Sequence, residues 1–151
     1  MNESAKYFDD LKVGDEFETG ARTITESDVV AFATLTGDMN PLHTDAEFAK
    51  STQHGQRLVH GLLLITYAVG LLDRAGYFSG TAVAQLGIRD WRYERPVFIG
   101  ETIHVKLRIG ALRATSDGKR GIVDREIAIH NQRGEVVAHG TIPVMLRRRG
   151  T

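Results

Sequence analysis

The segment that most restricts the fold of this chain is LLLITYAVGLL, Leu62 to Leu72, which is apolar on nearly every side of a helix and interrupted by Thr66 and Gly70. A membrane-spanning helix needs about 20 apolar residues in succession, so this one is too short to cross a bilayer. In water, a helix that is greasy all round is stable only when the rest of the fold encloses it. The remaining sequence must therefore supply a cover. From Ala82 onward the periodicity changes to two: Ile103, Val105, Leu107 and Ile109 alternate with Thr102, His104, Lys106 and Arg108, the pattern of a half-buried strand. Ile122 to Ile129, Val136 to Leu146 and Val83 to Trp91 read as further strands, and Glu16 to Ile24 as a first one, giving a sheet of about five. Asn131-Gln132-Arg133-Gly134 is turn-forming, and short turns join antiparallel neighbours. The expectation is an α+β fold in which an antiparallel sheet curls around the apolar helix.

The 151 residues show no linker, repeat or low-complexity tract, so one domain spanning 1–151 is expected. Before the apolar helix the pattern is also helical. Thr25 with Asp28 forms a capping-box start, Val29, Val30, Phe32, Ala33 and Leu35 supply an apolar face, and Gly37 is a natural stop. A second capping box is expected at Thr44 and Glu47. The tail Arg147-Arg148-Arg149 reads as a solvated terminus.

Composition removes several function classes. Nineteen basic residues balance nineteen acidic ones, so no global field favours nucleic acid or an anionic membrane. Without cysteine there is no disulfide, thiolate metal site or thiol nucleophile. The acidic start MNESAKYFDD is not a secretory leader, and a cytoplasmic protein is expected. His54, His104, His130 and His139 show no metal-ligand spacing, and no phosphate-binding glycine loop is present. Neither a metal nor a nucleotide cofactor is expected. Arg89, Arg92 and Arg95 read either as phosphate contacts or, preferably, as an exposed strand edge.

The densest reactive cluster is Thr36-Gly37-Asp38-Met39-Asn40-Pro41-Leu42-His43. Gly-Asp-x-Asn-Pro is also good turn vocabulary, because Gly and Asn tolerate positive φ and proline fixes one torsion. Turn chemistry does not explain why a carboxylate and an imidazole bracket the loop. The runs TGDMNPLHTDAEFAK, RLVHGLLLITYAVGLL and YERPVFIGETIHVKLRI together resemble the MaoC-like family of (R)-specific enoyl-CoA hydratases and dehydratases. The resemblance extends from about Leu11 to Met145.

That resemblance implies the hot-dog fold and a homodimer whose acyl sites lie at the interface. It implies that Asp38 and His43 are the catalytic pair, activating water for addition to a trans-2-enoyl-CoA and returning a proton to the α-carbon, with CoA entering only as part of the substrate. Asn40 and Pro41 are then loop-shaping residues. His60-Gly61 matches the family's His-Gly step, which implies that the Gly61 amide binds the thioester carbonyl. Read from the residues alone, Gly61 serves equally for tight packing, and His60 reads as a structural helix cap. Some relatives carry a serine inside the apolar helix, where this chain has Ile65-Thr66-Tyr67-Ala68-Val69, which leaves acyl-chain preference open. The same loop would serve straight-chain enoyl-CoA, a carboxylated substrate such as mesaconyl-CoA, or an acyl-carrier-protein thioester. Two rivals are an acyl-CoA thioesterase, disfavoured because residues 61–72 hold no Asp or Glu, and a non-catalytic acyl-binding subunit.

Overall fold

The structure is a computed structural model describing residues 5–150, so residues 1–4 and 151 of the expected unit lie outside the described residues. Among these residues four α-helices precede most of the sheet: α1 (Glu26–Thr36), α2 (Pro41–Thr44), α3 (Ala46–Lys50) and α4 (Gly61–Arg74). The capping box of α1 forms as expected, with Asp28 N–H donating to the Thr25 hydroxyl and Thr25 N–H to Asp28. Gly37 ends the helix at φ 77°, a left-handed conformation that glycine adopts without strain. The expected apolar face is narrower than the sequence suggested. Val29 and Ala33 are buried, whereas Val30 is exposed and Leu35 is 84% exposed, because a 3.6-residue period carries positions 30 and 35 away from the line through 29 and 33.

Helix α4 buries Leu63, Leu64, Ile65, Ala68, Leu71 and Leu72. Its enclosure is nevertheless incomplete, a correction to the expectation of a fully covered helix. Leu62 is 63% exposed, and with Thr66, Gly70 and Asp73 it forms an open stripe at spacings of four, four and three along one side.

Among the described residues, eight strands make one antiparallel sheet: β1 (Glu16–Glu18), β2 (Arg22–Thr23), β3 (Ala82–Gln85), β4 (Arg89–Tyr93), β5 (Thr102–Ala114), β6 (Arg120–Asn131), β7 (Val136–Thr141) and β8 (Val144–Arg147). Eight segments replace the expected five strands, yet the sheet is five lanes wide. β1 and β2 share a lane beside β5, β7 and β8 share one beside β6, and β4 and β3 lie outside β7 and β8 respectively. Each interrupted lane contains a residue suited to a break. Gly20 lies between β1 and β2, Gly87 adopts φ 151° between β3 and β4, and Pro143, which has no N–H to donate, separates β7 from β8. On the inner face, Ile103, Val105, Leu107 and Ile109 of β5 and Val123, Ile127 and Ile129 of β6 join the α4 leucines in one core. β3 pairs only with β8 and β4 only with β7, so both present free edges among the described residues.

The arginine tail is not simply solvated. Arg148 pairs with Asp9 at 2.7 Å, and Arg149 binds both carboxylate oxygens of Asp10 at 2.9 and 2.7 Å, fastening the last strand to the 3-10 turn Phe8–Asp10.

A second polar cluster joins α1 to α4. Arg22 donates to Asp28 at 2.8 Å and to the Tyr67 hydroxyl at 3.1 Å, with its guanidinium 4.2 Å from the Tyr67 ring centre. Burial alone would raise the Asp28 carboxyl, but hydrogen bonds from Tyr67 and Thr25 and the charge of Arg22 outweigh it and hold Asp28 at about 2. Burial and the bond to Asp28 push Tyr67 up to about 12. The Asp28 side chain is only 15% exposed, so its shift corresponds to about 2 kcal/mol of native stability at neutral pH. Below the ordinary value of 3.8 the unfolded chain takes up a proton that native Asp28 refuses. This stability is therefore complete above about pH 4 and lost as pH falls through about 2. Asp28→Asn is expected to unfold at lower urea at pH 7 by about 2 kcal/mol, with the difference from the parent shrinking steadily between about pH 4 and 2. A difference independent of pH across that window would contradict this assignment.

Candidate active site

The loop after α1 is fixed by its own side chains. The Thr36 hydroxyl donates to Phe32 O at 2.7 Å and accepts from Asp38 N–H at 3.3 Å, which holds the turn around Gly37. Asn40 caps α2 by accepting Leu42 N–H at 2.9 Å. Pro41 occupies the first helical position, where its fixed φ suits the helix and its missing N–H has no partner to lose. His43 is thus carried on a short capped helical turn. The capping box expected at Thr44 and Glu47 does not form. Thr44 is the last residue of α2 and its hydroxyl turns back to Met39 O and Asn40 O at 3.1 Å; Asp45 caps α3 instead, accepting Glu47 N–H and Phe48 N–H at 2.9 Å.

Asp38, His43 and His60 come together, with one reactive side-chain atom of each within 4.8 Å of the others. Asp38 is exposed, His43 half-buried and His60 only 1% exposed. His43 Nδ1 lies 2.8 Å from Leu58 O. A carbonyl can only accept, so Nδ1 carries the hydrogen and the neutral ring presents its lone pair at Nε2. The same reasoning gives His60 a hydrogen on Nε2, which donates to the backbone carbonyl of Asp38 at 3.0 Å. The His60 ring stacks on His43 with centroids 3.8 Å apart and planes at 27°, and Phe32 packs 5.0 Å from its centre.

His60 makes no side-chain cap bond to α4, contrary to the sequence reading. It instead ties the start of the helix to the Asp38 backbone and supports the His43 imidazole. The sequence signal was present in the His60-Gly61 step, but helix-cap chemistry obscured it. Its Nδ1 is buried with no hydrogen-bond partner among the described residues.

Gly61 begins α4. No side chain caps this end; Leu63 N–H and Leu64 N–H turn back to His60 O at 3.1 and 3.4 Å, while the Gly61 and Leu62 N–H groups have no partner among the described residues and sit at the positive end of the helix dipole. A Cβ at Gly61 would lie 2.7 Å from Tyr93 Cζ and 2.9 Å from its hydroxyl. Those atoms are the outer end of a half-exposed side chain, which can swing aside. Packing therefore gives a weak reason for glycine here. Gly61→Ala is expected to remain folded and to lose about 1 kcal/mol in urea denaturation, the low end of an overpacking change, because the Tyr93 ring end can move. A loss of several kcal/mol would make Gly61 a packing residue.

Among the described residues these three side chains also offer ligand atoms close enough together to share an ion. The His43 and His60 rings stack face to face, and in each the nitrogen that does not donate to a carbonyl keeps its lone pair. A concavity of about 750 Å³ on the outer sheet face, lined by Lys106, Arg108, Glu126 and His139, contains none of these residues. Arg89 pairs with Asp124 at 2.5 Å and Arg95 with Glu135 at 3.8 Å, in keeping with a strand-edge role.

Comparison with known proteins places this geometry in a family. A family model described as MaoC like domain matches residues 10–132. Protein MaoC of Klebsiella aerogenes is 41% identical over 102 residues, covering 68% of this chain but 30% of that longer protein. The (R)-specific enoyl-CoA hydratase of Aeromonas caviae is 35% identical over 103 residues, 68% of this chain and 74% of the relative. Among solved structures, a monoamine oxidase regulatory protein from Archaeoglobus fulgius superposes with a TM-score of 0.90 at 36% identity, covering 98% of each chain. A Mycobacterium tuberculosis protein with a double hot-dog fold superposes at a TM-score of 0.87 over 97% of this chain and 45% of that one; at 22% identity this likeness concerns the fold alone. The sheet wrapped on α4 is a hot-dog fold, and the chain belongs to the MaoC-like domain family of hydratases and dehydratases.

Proposed function

We propose that this chain catalyses reversible (R)-specific hydration of a trans-2-enoyl-CoA, with Asp38 and His43 as catalytic residues and Gly61 as the thioester-carbonyl donor. The observation that carries this reading is the fixed His43 imidazole, its Nδ1 held on Leu58 O and its second nitrogen left to move a proton, beside the Asp38 carboxylate. Water is a weak nucleophile, and its addition needs a positioned base. In this mechanism Asp38 orients the water and His43 Nε2 accepts its proton as the oxygen bonds to C3. The C2–C3 π electrons move toward the thioester, forming an enolate whose oxygen takes the Gly61 N–H and the positive end of α4. The imidazolium then returns a proton to C2 from the face where oxygen entered, giving syn addition. Asn40 and Pro41 act by holding the turn that carries His43. No step needs a metal or a cofactor beyond the CoA of the substrate.

Thioester hydrolysis is the weaker reading. The only carboxylate of α4, Asp73, lies in its last turn, at the opposite end from Gly61. The use of a CoA thioester in this reading fits a cytoplasmic setting.

The working unit in this reading is a homodimer. Tyr93 of the free-edged β4 touches the Gly61 position, so the site abuts an unpaired sheet edge. Val83, Leu86 and Ile88, each 44% exposed, extend an apolar strip along the β3–β4 border, and a second copy covering it would wall the site. Sedimentation is expected to give twice the chain mass. Val83→Glu combined with Ile88→Glu is expected to yield monomers with reduced hydration; a monomeric parent of full activity would contradict the interface.

Asp38→Asn and His43→Gln, each close to isosteric, are expected to retain the fold and lower kcat for crotonyl-CoA hydration by about 10²–10⁴. Gly61→Ala should lower it while remaining folded. Near-parental turnover in both the Asp38 and His43 variants would overturn the assignment.

A further inference from the structure

Arg125 breaks the pattern of its strand. On β6 the inward positions read Val123, Arg125, Ile127 and Ile129, so a guanidinium occupies a place in an otherwise aliphatic row. It is only 6% exposed. Its Nε donates to Ile142 O at 3.0 Å, while Ile142 N–H donates to Arg125 O at 2.9 Å; this exchange fixes the stem beside the β7–β8 break. Among the described residues the two terminal nitrogens have no hydrogen-bond partner and no carboxylate within ion-pair distance. Phe78 lies beneath the group, its ring centre 5.8 Å from Cζ. Burial lowers Arg125 to about 10, which leaves it charged at neutral pH.

The guanidinium helps line a cavity of about 270 Å³ whose other walls include Val69 and Leu72 of α4, Phe78, Val144 and Gln85 of the free-edged β3. Asp73, the second charged residue on this wall, is solvent-exposed and forms no ion pair with Arg125. A buried cation costs much unless it is paired. An alkyl tail in this cavity would leave the cost unrelieved, whereas a planar carboxylate matches the guanidinium fork and would be desolvated against apolar walls.

We propose that this cavity receives a carboxylate carried on the acyl portion of the thioester, with Arg125 as its counter-ion, so that the chain selects carboxylated acyl groups over methyl-ended ones. This rests on the reading of the protein as an acyl-CoA enzyme. The cavity flanks α4 eight to eleven residues beyond Gly61, about 12–16 Å along the axis, so the carboxylated acyl group that binds best is expected to be one long enough to span that separation.

The test is calorimetric titration with saturated acyl-CoAs of graded length, each methyl-ended member matched to its ω-carboxylated counterpart. At least one carboxylated member is expected to bind the parent protein tenfold or more tighter than its match. Arg125→Met should abolish that advantage without weakening methyl-ended binding, and Arg125→Lys should keep part of it. The proposal is overturned if no carboxylated member is preferred by the parent, or if the preference survives in Arg125→Met. Because these ligands do not turn over, the binding result stands whether or not crotonyl-CoA is hydrated, and loss of hydration in every substrate would count against the catalytic reading alone.

Discussion

Helix α4 cannot lie open to water, and the cover it needs organises everything else. Its buried leucines and isoleucine each contribute about 1.5–3 kcal/mol when removed from solvent, provided the inner faces of β5 and β6 meet them. Strands long enough to do so must bend around a cylinder. The bends fall where the ladder can be interrupted at low cost, at Gly20, Gly87 and Pro143. Wrapping also leaves one side of the helix uncovered along Leu62, Thr66, Gly70 and Asp73, and leaves the β3 and β4 edges free. Tyr93 on the free-edged β4 reaches the start of α4 at the Gly61 position.

Enclosing a helix fixes the position of its ends. The start of α4 is pinned by His60, which is buried, bonded to the Asp38 backbone and stacked on His43. One side chain therefore links the helix dipole, the carboxylate loop and the imidazole. Reactive groups held by packing and by backbone bonds lose little freedom on meeting substrate. The loop adds its own rigidity through the αL glycine, the Asn40 cap and the proline at the first helical position.

Much of this was legible in the residues. The period-two runs of β5 and β6, the capped start of α1 and the apolar α4 announce themselves because each follows a local rule that the tertiary fold does not override. The candidate loop was legible because Asp38 and His43 are few residues apart. What escaped depends on contacts distant in sequence. Thr44 looked like a cap, but the turn at Pro41 gave that role to Asp45. Arg148 and Arg149 looked solvated because their partners, Asp9 and Asp10, are about 140 residues away. The role of His60 required the stacked ring of His43, and that of Tyr93 its contact with the Gly61 position. Arg125 did carry a signal, since the alternation of β6 places it inward, but an inward arginine has meaning only beside a cavity.

The central claim is that one loop delivers both proton-transfer groups to one face of an enoyl thioester. The stereochemistry of the product tests it most directly. Hydration of crotonyl-CoA in D₂O, followed by proton NMR of the 3-hydroxybutyryl product and determination of its C3 configuration, should show one deuterium at C2, an R centre at C3 and the single diastereomer of syn addition. An S product, a mixture of C2 diastereomers, or release of free CoA in place of hydration would contradict it.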